Sequence, residues 1–471
     1  MSSLFRRKVV AAGEELPEGQ RLARTLSWPH LLALGVGAIV GTGILTLIGV
    51  GADRAGPAVL LSFVVAGAIC ACAALAYAEM ATTIPASGSA YTYSYAVLGE
   101  VIAWIVGWSL ILEYSLVVAT VAVGWSGYFN GFLGGLGLPL PDALAHGPTL
   151  GPDGSGAINL PAVAIILLVA WLLSRGTRES ARLNSALVVL KLVTLALFVA
   201  VALPHFDPAN LQPFAPFGYG SPADENGVKH GVMGAAAIIF FAFYGFDAIS
   251  TAAEETKNPS RDLAIGIFGS MVACTAIYML VAATAVGALH YTEFGKSAEP
   301  LALILRTIGQ PEIATVVAAA AAIALPTVLL AFLYGQSRIF LVMARDGFLP
   351  PRLAEVSRRG TPAKITWLTA IFVAALAAVF PLDLIASLAN AGTLCAFVAV
   401  AACVLVLRRR GQKRPGAFRT PLAWVVCPAA ILGCVYLFTS LQTVTIVSFF
   451  VWNAVGLLVY FLYGRRRAVI G

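Results

Sequence analysis

From Leu31 onward the chain runs in long apolar stretches separated by short polar clusters, and few of the stretches contain a charge. A bilayer hydrocarbon core about 30 Å thick takes roughly 20 apolar residues per helix, and backbone groups in lipid must pair within their own segment. Such runs therefore predict membrane-spanning helices. The spans fall at 31–51, 57–83, 100–131, 157–174, 183–204, 231–253, 264–289, 312–344, 365–381, 384–407, 421–440 and 444–463, which makes twelve. Two divisions rest on length, because 365–407 contains only Asp383 and 421–464 contains no charge. Turns are placed near Pro381-Leu382-Asp383 and Ser440-Leu441-Gln442. Segments 132–156 and 205–230, rich in Gly, Pro and Asp, read as irregular external loops.

Two spans carry helix breakers where a lipid-facing helix would not need them. The first reads Gly35-Val36-Gly37-Ala38-Ile39-Val40-Gly41-Thr42-Gly43-Ile44. Gly37 and Gly41 have the spacing that lets two helices approach closely, so plain packing is one reading. The other is an unwound segment, whose following half-helix aims free amides and a positive dipole end at an anion such as a carboxylate. The sixth span supplies Phe240-Phe241-Ala242-Phe243-Tyr244-Gly245-Phe246-Asp247, an aromatic cluster with a glycine and an intramembrane acid. Ordinary core packing accounts for any one of these rings. If spans 1–5 and 6–10 are inverted repeats, however, the two breaks occupy corresponding positions, a sequence pointer to a transporter site.

Composition agrees with the pattern: of 471 residues, 59% are hydrophobic and 11% charged, with a formal net charge of +7. With the N-terminus inside, every lysine and arginine falls in a cytosolic segment except Arg54, Lys229, Lys296 and Arg306 outside and Lys191 and Arg338 within spans. This asymmetry is the positive-inside signature, and one missed span would reverse it for every later loop. The surplus positive charge therefore marks topology and no nucleic-acid partner. Met1–Ser27 is polar and basic without an apolar core, so no signal peptide is read and both ends are expected in the cytosol. Cys70, Cys72, Cys274, Cys395, Cys403, Cys427 and Cys434 lie within apolar runs without a CxxC pair, and the five histidines sit at or beyond span ends. Neither disulfides, a metal nor any other cofactor is expected.

Gly41-Thr42-Gly43-Ile44, the loop Pro85-Ala-Ser-Gly88-Ser-Ala-Tyr91-Thr-Tyr93, and Phe240–Asp247 followed by Glu254-Glu255-Thr-Lys257-Asn258-Pro259-Ser-Arg261-Asp262 resemble the amino acid-polyamine-organocation superfamily. The nearest likeness within it is the cationic amino acid transporter branch and its bacterial relatives, and it extends from Leu26 to about Pro421. The resemblance implies an all-α integral membrane protein of the leucine-transporter type. That fold has a cytosolic segment (1–30), a first inverted repeat (31–204, helices 1–5), a second (205–407, helices 6–10), and helices 11 and 12 with a cytosolic C-terminus (408–471). It also implies that the substrate carboxylate meets amides around Gly41, Thr42, Gly43 and Ile44. The substrate ammonium would meet carbonyls near Ile39 and Val40 and from Phe240, Phe241 and Phe243.

Charges inside the membrane are expensive and need a reason. Lys191 lies in the middle of the fifth span; by resemblance it is a resident cation that reaches backbone oxygens near Gly37 and changes protonation during transport, with Tyr278 as a neighbour. A tether of constant charge is the plainer alternative. Glu113 on the third span either faces the substrate through water or packs as a neutral acid. Asp247 caps the lower half of the broken sixth helix, and Glu79 and Arg338 near cytosolic span ends read as gate or tether residues. Leu325, Pro326 and Thr327 face the pocket by resemblance and are mostly apolar, and Tyr244 stands where relatives carry a smaller residue. Both features favour neutral amino acids of small to medium size over cationic ones.

The function these observations point to is secondary active import of amino acids by alternating access, coupled to protons. Amino-acid exchange by the same fold and a non-transporting amino-acid sensor are the alternatives. The chain carries no P-loop and no recognisable catalytic set, so it does not read as an enzyme or an ATP-driven pump. The expected partners are an amino acid, protons and the bilayer of the cell membrane, with no accessory subunit.

Overall fold

The computed structural model describes residues 6–8, 26–85, 88–148, 156–174, 181–225, 227–251, 256–355, 363–412 and 415–465. Glu254 and Glu255 of the motif after the sixth span, and Ala86 and Ser87 of the loop after the second, lie outside these residues, as does the side chain of Arg338. Among the described residues there is no strand; isolated bridges join Leu26 to Thr256 and Ala223 to Lys229.

The helices are α1 (Trp28–Ile39), α2 (Thr42–Leu45), α3 (Leu47–Ala55), α4 (Val59–Thr83), α5 (Ser89–Val97), α6 (Glu100–Gly135), α7 (Asp142–Ala145), α8 (Leu160–Ser174), α9 (Ala181–Ala202) and α10 (Gly231–Ile239). They continue with α11 (Phe246–Thr251), α12 (Pro259–Ala288), α13 (Pro300–Thr307), α14 (Pro311–Ala324), α15 (Pro326–Arg345), α16 (Ala363–Val379), α17 (Leu382–Arg409), α18 (Ala423–Thr439) and α19 (Thr443–Val459). Among the described residues, seven helical stretches are long and apolar enough to cross a membrane, and five shorter apolar helices accompany them. Leu47–Thr83 counts as one such stretch although Gly56, at φ +64, turns the chain between α3 and α4. Helix ends agree with the apolar pattern to within a few residues, and Pro381 precedes α17 where a turn is expected.

Three features are absent from the apolar pattern. α5 is a short helix in the loop after α4, α13 is another between α12 and α14, and the stretch 312–344 is interrupted at Leu325-Pro326. Proline has no amide to give to the preceding turn, so the helix must restart there.

Packing divides the helices. α1, α4, α10 and α12 form one group, with α1 on α12, α12 on α4 and α10 on both α3 and α4. α6 is the centre of the other, contacting α8, α14, α15 and α16, while α17 lies against α6, α4 and α18. Outer helices carry exposed apolar side chains such as Leu368, Ile371, Leu432 and Phe450. In a soluble protein such faces would adhere to one another, whereas lipid tails are a suitable neighbour.

Candidate functional site

The first break follows α1. Val40 is extended (φ −70, ψ 102), Gly41 leaves helical geometry, and α2 begins at Thr42. The opening amides of a helix have no partner within it. Those of Thr42, Gly43 and Ile44 stand at this end, while the Leu45 amide returns to the Gly41 carbonyl at 3.2 Å. The hydroxyls of Thr42 and Thr46 are buried without a hydrogen-bond partner.

The second break follows α10. A 3-10 turn spans Phe240–Phe243, Tyr244 is extended, and Gly245 adopts φ +111 before α11. Asp247 sits at the start of α11 as a cap, its Oδ1 accepting from the Gly245 amide at 3.2 Å and its Oδ2 from the Tyr114 hydroxyl at 3.2 Å. Phe243 turns its ring away into α4 and α12, beside Phe63 and Tyr278, so only its backbone is left for a ligand. Phe240 packs on Phe397 and Tyr244, and Phe241 lies 4.9 Å from Tyr244 between ring centroids.

The two breaks touch. A Cβ on Gly43 would lie 2.2 Å from the Ala242 Cα, and one on Gly245 would lie 2.7 Å from the Ala38 carbonyl carbon. Both glycines are therefore needed for backbone-to-backbone approach, and Gly245 also for its dihedral.

Unwinding frees carbonyls, and side chains from three other helices meet them. The Tyr278 hydroxyl on α12 lies 2.8 Å from the Ile39 oxygen and 3.0 Å from the Ala242 oxygen, one from each break. A hydroxyl has one hydrogen, so the two oxygens keep lone pairs for a further donor such as an ammonium. Lys191 on α9, buried, donates to the Gly37 oxygen at 2.9 Å. Asn390 on α17 donates to the oxygens of Ala237 at 2.7 Å and Ile238 at 3.3 Å. Two of the carbonyls that the resemblance gives to the substrate also have donors within the protein. The Ile39 carbonyl, which the resemblance leaves to the substrate, is shared with Tyr278, and the Phe241 carbonyl accepts from the Tyr244 amide at 3.3 Å.

Glu113 is buried beside the sites where Gly392 and Asp247 approach α6, and its Oε2 has no partner. A carboxyl oxygen left so in a membrane interior is costly, so it calls for a polar visitor, water or ligand. Leu325 is buried at the eighth-span interruption, and Val328, one turn on, is the neighbour that a Cβ on Gly41 would meet, at 3.3 Å. Thr327 spends its hydroxyl on the Ala324 carbonyl at 2.7 Å.

Residues 26–463 match the pattern of a family described as amino acid permease. The chain is 45% identical to the branched-chain amino acid permease of Bacillus subtilis over 468 residues, covering 99% of this chain and 98% of that one. It is 41% identical to the methylthioribose transporter of the same organism over the whole of both chains. It is 36% identical to the vacuolar cationic amino acid transporter 4 of Arabidopsis thaliana, over 87% of this chain and 67% of that one. The chain belongs to the amino acid permease family. It is a multi-pass membrane protein of the transporter class and not an enzyme.

On either side of the breaks charged groups tie helices of the permease together. At the end of α3, Arg54 bonds Asp383 at the head of α17 (3.0 Å), whose same oxygen takes the Gln442 amide at 3.4 Å. At the other ends of α4 and α17, the Arg408 guanidinium forks onto both oxygens of Glu79 at 2.8 Å each, and the Thr420 amide adds a third bond at 2.8 Å. Lys8 reaches Asp346 at 2.6 Å, where the Tyr91 hydroxyl also bonds at 2.7 Å. Glu79 thus ties rather than stands free. Asn390, like Tyr114 and Val328, is a site residue that the sequence pattern does not single out. Its one signal is an amide in the middle of an otherwise apolar span.

Proposed function

We propose that this permease imports neutral amino acids, with branched-chain side chains foremost, by alternating access coupled to protons. The observation that carries the reading is the contact of the two breaks. Amides at Thr42–Ile44 and half-occupied carbonyls at Ile39 and Ala242 meet across Gly43 and Gly245, a pairing that suits a carboxylate and an ammonium on one carbon. The grouping of α1 and α4 with α10 and α12, against α6 and α8 with α14, α15 and α16, supports two five-helix repeats (31–204 and 205–407) with α18 and α19 added. With the seven longer and five shorter apolar helices as twelve crossings, the arginine and lysine distribution supports a topology with both termini cytoplasmic, in the cell membrane.

Proton coupling is assigned to Lys191, because loss of its proton would turn a charge-assisted bond to the Gly37 carbonyl into a weaker neutral one, on the very helix that binds substrate. Neutral substrates are favoured by the apolar Leu325 and Val328 and by the bulk of Tyr244. The branched-chain permease relative agrees with this choice.

Uptake into proteoliposomes across a panel of labelled amino acids, with imposed proton or sodium gradients and with unlabelled amino acid inside, tests the reading. Leucine or valine accumulation driven by external acid is the expected result. Uptake only against internal amino acid would replace import with exchange, and binding without uptake would replace both with sensing. Methylthioribose belongs in the panel, since a relative carries that name and the free Glu113 oxygen could accept from a hydroxyl. Lys191→Ala is expected to lose proton-driven accumulation about tenfold or more while retaining exchange; acid-driven accumulation at the wild-type level in this variant would remove the lysine from coupling.

A further inference from the structure

We infer that Asn390 is a positioning residue that sets side-chain selectivity by fixing the ring of Tyr244; this rests on the amino-acid transport reading above. The geometry leaves its amide one orientation. Ala237 and Ile238 present carbonyl oxygens, which only accept, so the Asn390 nitrogen must face them at 2.7 and 3.3 Å. The side-chain oxygen then faces the Tyr244 hydroxyl at 2.5 Å, and the hydroxyl is the donor. These two carbonyls belong to the last turn of α10, where helical bonding runs out and the Phe240 amide is directed at the oxygens of Ala236 and Ile238. One side chain on α17 thus caps the helix before the break and anchors the residue after it.

Tyr244 needs that anchor. It is extended, between a 3-10 turn and a glycine at φ +111, so the local backbone does not dictate where its ring points. One side of the ring rests on Phe240 and Phe241. Glu113 and Thr393 lie toward its hydroxyl, and an unanchored hydroxyl would turn to the vacant Glu113 Oε2. Such a turn would fill the space where a substrate side chain starts and withdraw Glu113 from solvent or ligand. Asn390 keeps the hydroxyl on α17 instead. Its contribution is therefore to how much room a substrate side chain has, in addition to the stability of α10.

The test is the ratio of KM values for alanine and leucine in proteoliposomes for wild type, Asn390→Ala, Tyr244→Phe and the double variant. Release of the ring is expected to change the ratio about tenfold in Asn390→Ala, the scale of one buried hydrogen bond. Tyr244→Phe, which leaves the carbonyl caps intact, is expected to shift it in the same direction, and the double variant to shift it no further. Equal loss of alanine and leucine uptake in Asn390→Ala, with an unchanged ratio in Tyr244→Phe, would reduce Asn390 to a helix cap and overturn the inference. If Asn390→Ala does not fold, the Tyr244→Phe ratio decides alone. Wild-type protein that moves no amino acid would instead sink the transport reading, and is distinguishable because it needs no variant.

Discussion

The two breaks reach the same contact by different means. The first, between α1 and α2, is opened by small residues and leaves its polar groups available: its opening amides stand at the end of a half-helix and the hydroxyls of Thr42 and Thr46 are unmet. The second, between α10 and α11, is opened by a glycine at positive φ and largely satisfies itself, since Asp247 takes the Gly245 amide and Phe241 takes that of Tyr244. A region that retains unmet donors is the one that can bind an anion, and one that closes its own bonds is the one that can hold shape. The first break thus reads as the variable partner and the second as the template against which it works.

The largest test of that contrast is to add one carbon at the contact. Gly245→Ala would place its Cβ against backbone of α1 and force a side chain into φ +111, and Gly43→Ala would drive into the Ala242 Cα. Backbone cannot step aside as a side-chain tip can, so the cost falls at or above the upper end of over-packing, about 3 kcal/mol. Each variant is expected to lose about a hundredfold or more of uptake while still inserting in the membrane, as size-exclusion of the detergent-solubilised protein would register. Near-wild-type transport by Gly43→Ala would mean that the breaks do not meet as described.

Tyr278→Phe comes next and should affect both breaks at once, because its one hydrogen serves Ile39 and Ala242 together. The ring contacts with Phe63 and Phe243 survive the change, so the loss is of the hydroxyl alone. About 1–3 kcal/mol is at stake for carbonyls left without a donor. A five- to hundredfold fall in kcat/KM is the expected reading, with substrate preference unchanged. Asp247→Ala follows, since it removes a cap from the second break only. About 1 kcal/mol is the usual cost of a lost cap, expected as a lowered melting temperature in detergent with the carboxylate affinity of the first break intact.

How much of this could be read from residues alone depends on the distance over which each feature acts. Gly41, Gly43 and Gly245 announce breaks because a helix is a local object and glycine acts within one turn. Lys191 announces a need for a partner because an ammonium in hydrocarbon must find one, and the Gly37 carbonyl is that partner. Asn390 announces neither, being neutral and tolerable in a span. Its meaning arises only when the fold brings it to carbonyls some 150 positions earlier in the chain. The interruption at Pro326 was available from the residue type, yet the apolar pattern runs through it without change, which is why 312–344 reads as one span. Helices α5 and α13 escaped for a related reason, being too short to cross a bilayer and so without a length signature.

The smallest expected effect is the most discriminating between packing and function at the first break. Gly41 has neither a positive φ nor a backbone neighbour in the way; a Cβ there would meet the Val328 methyl at 3.3 Å and the Ile39 oxygen only at 3.9 Å. A methyl at the end of a side chain can yield a few tenths of an ångström, and Gly41 lies in the break itself at φ −159, an extended angle that alanine also adopts. Gly41→Ala is therefore expected to change uptake less than about threefold and to leave the melting temperature level. If close helix packing were the whole purpose of the glycine series, Gly41 and Gly43 would fail alike. If the break serves a ligand, Gly43 fails and Gly41 survives with a modest rise in KM, because the added methyl stiffens the turn from which the Thr42 and Gly43 amides are presented. A loss at Gly41 as severe as that at Gly43 would return the first break to simple packing and leave the carboxylate without its proposed seat.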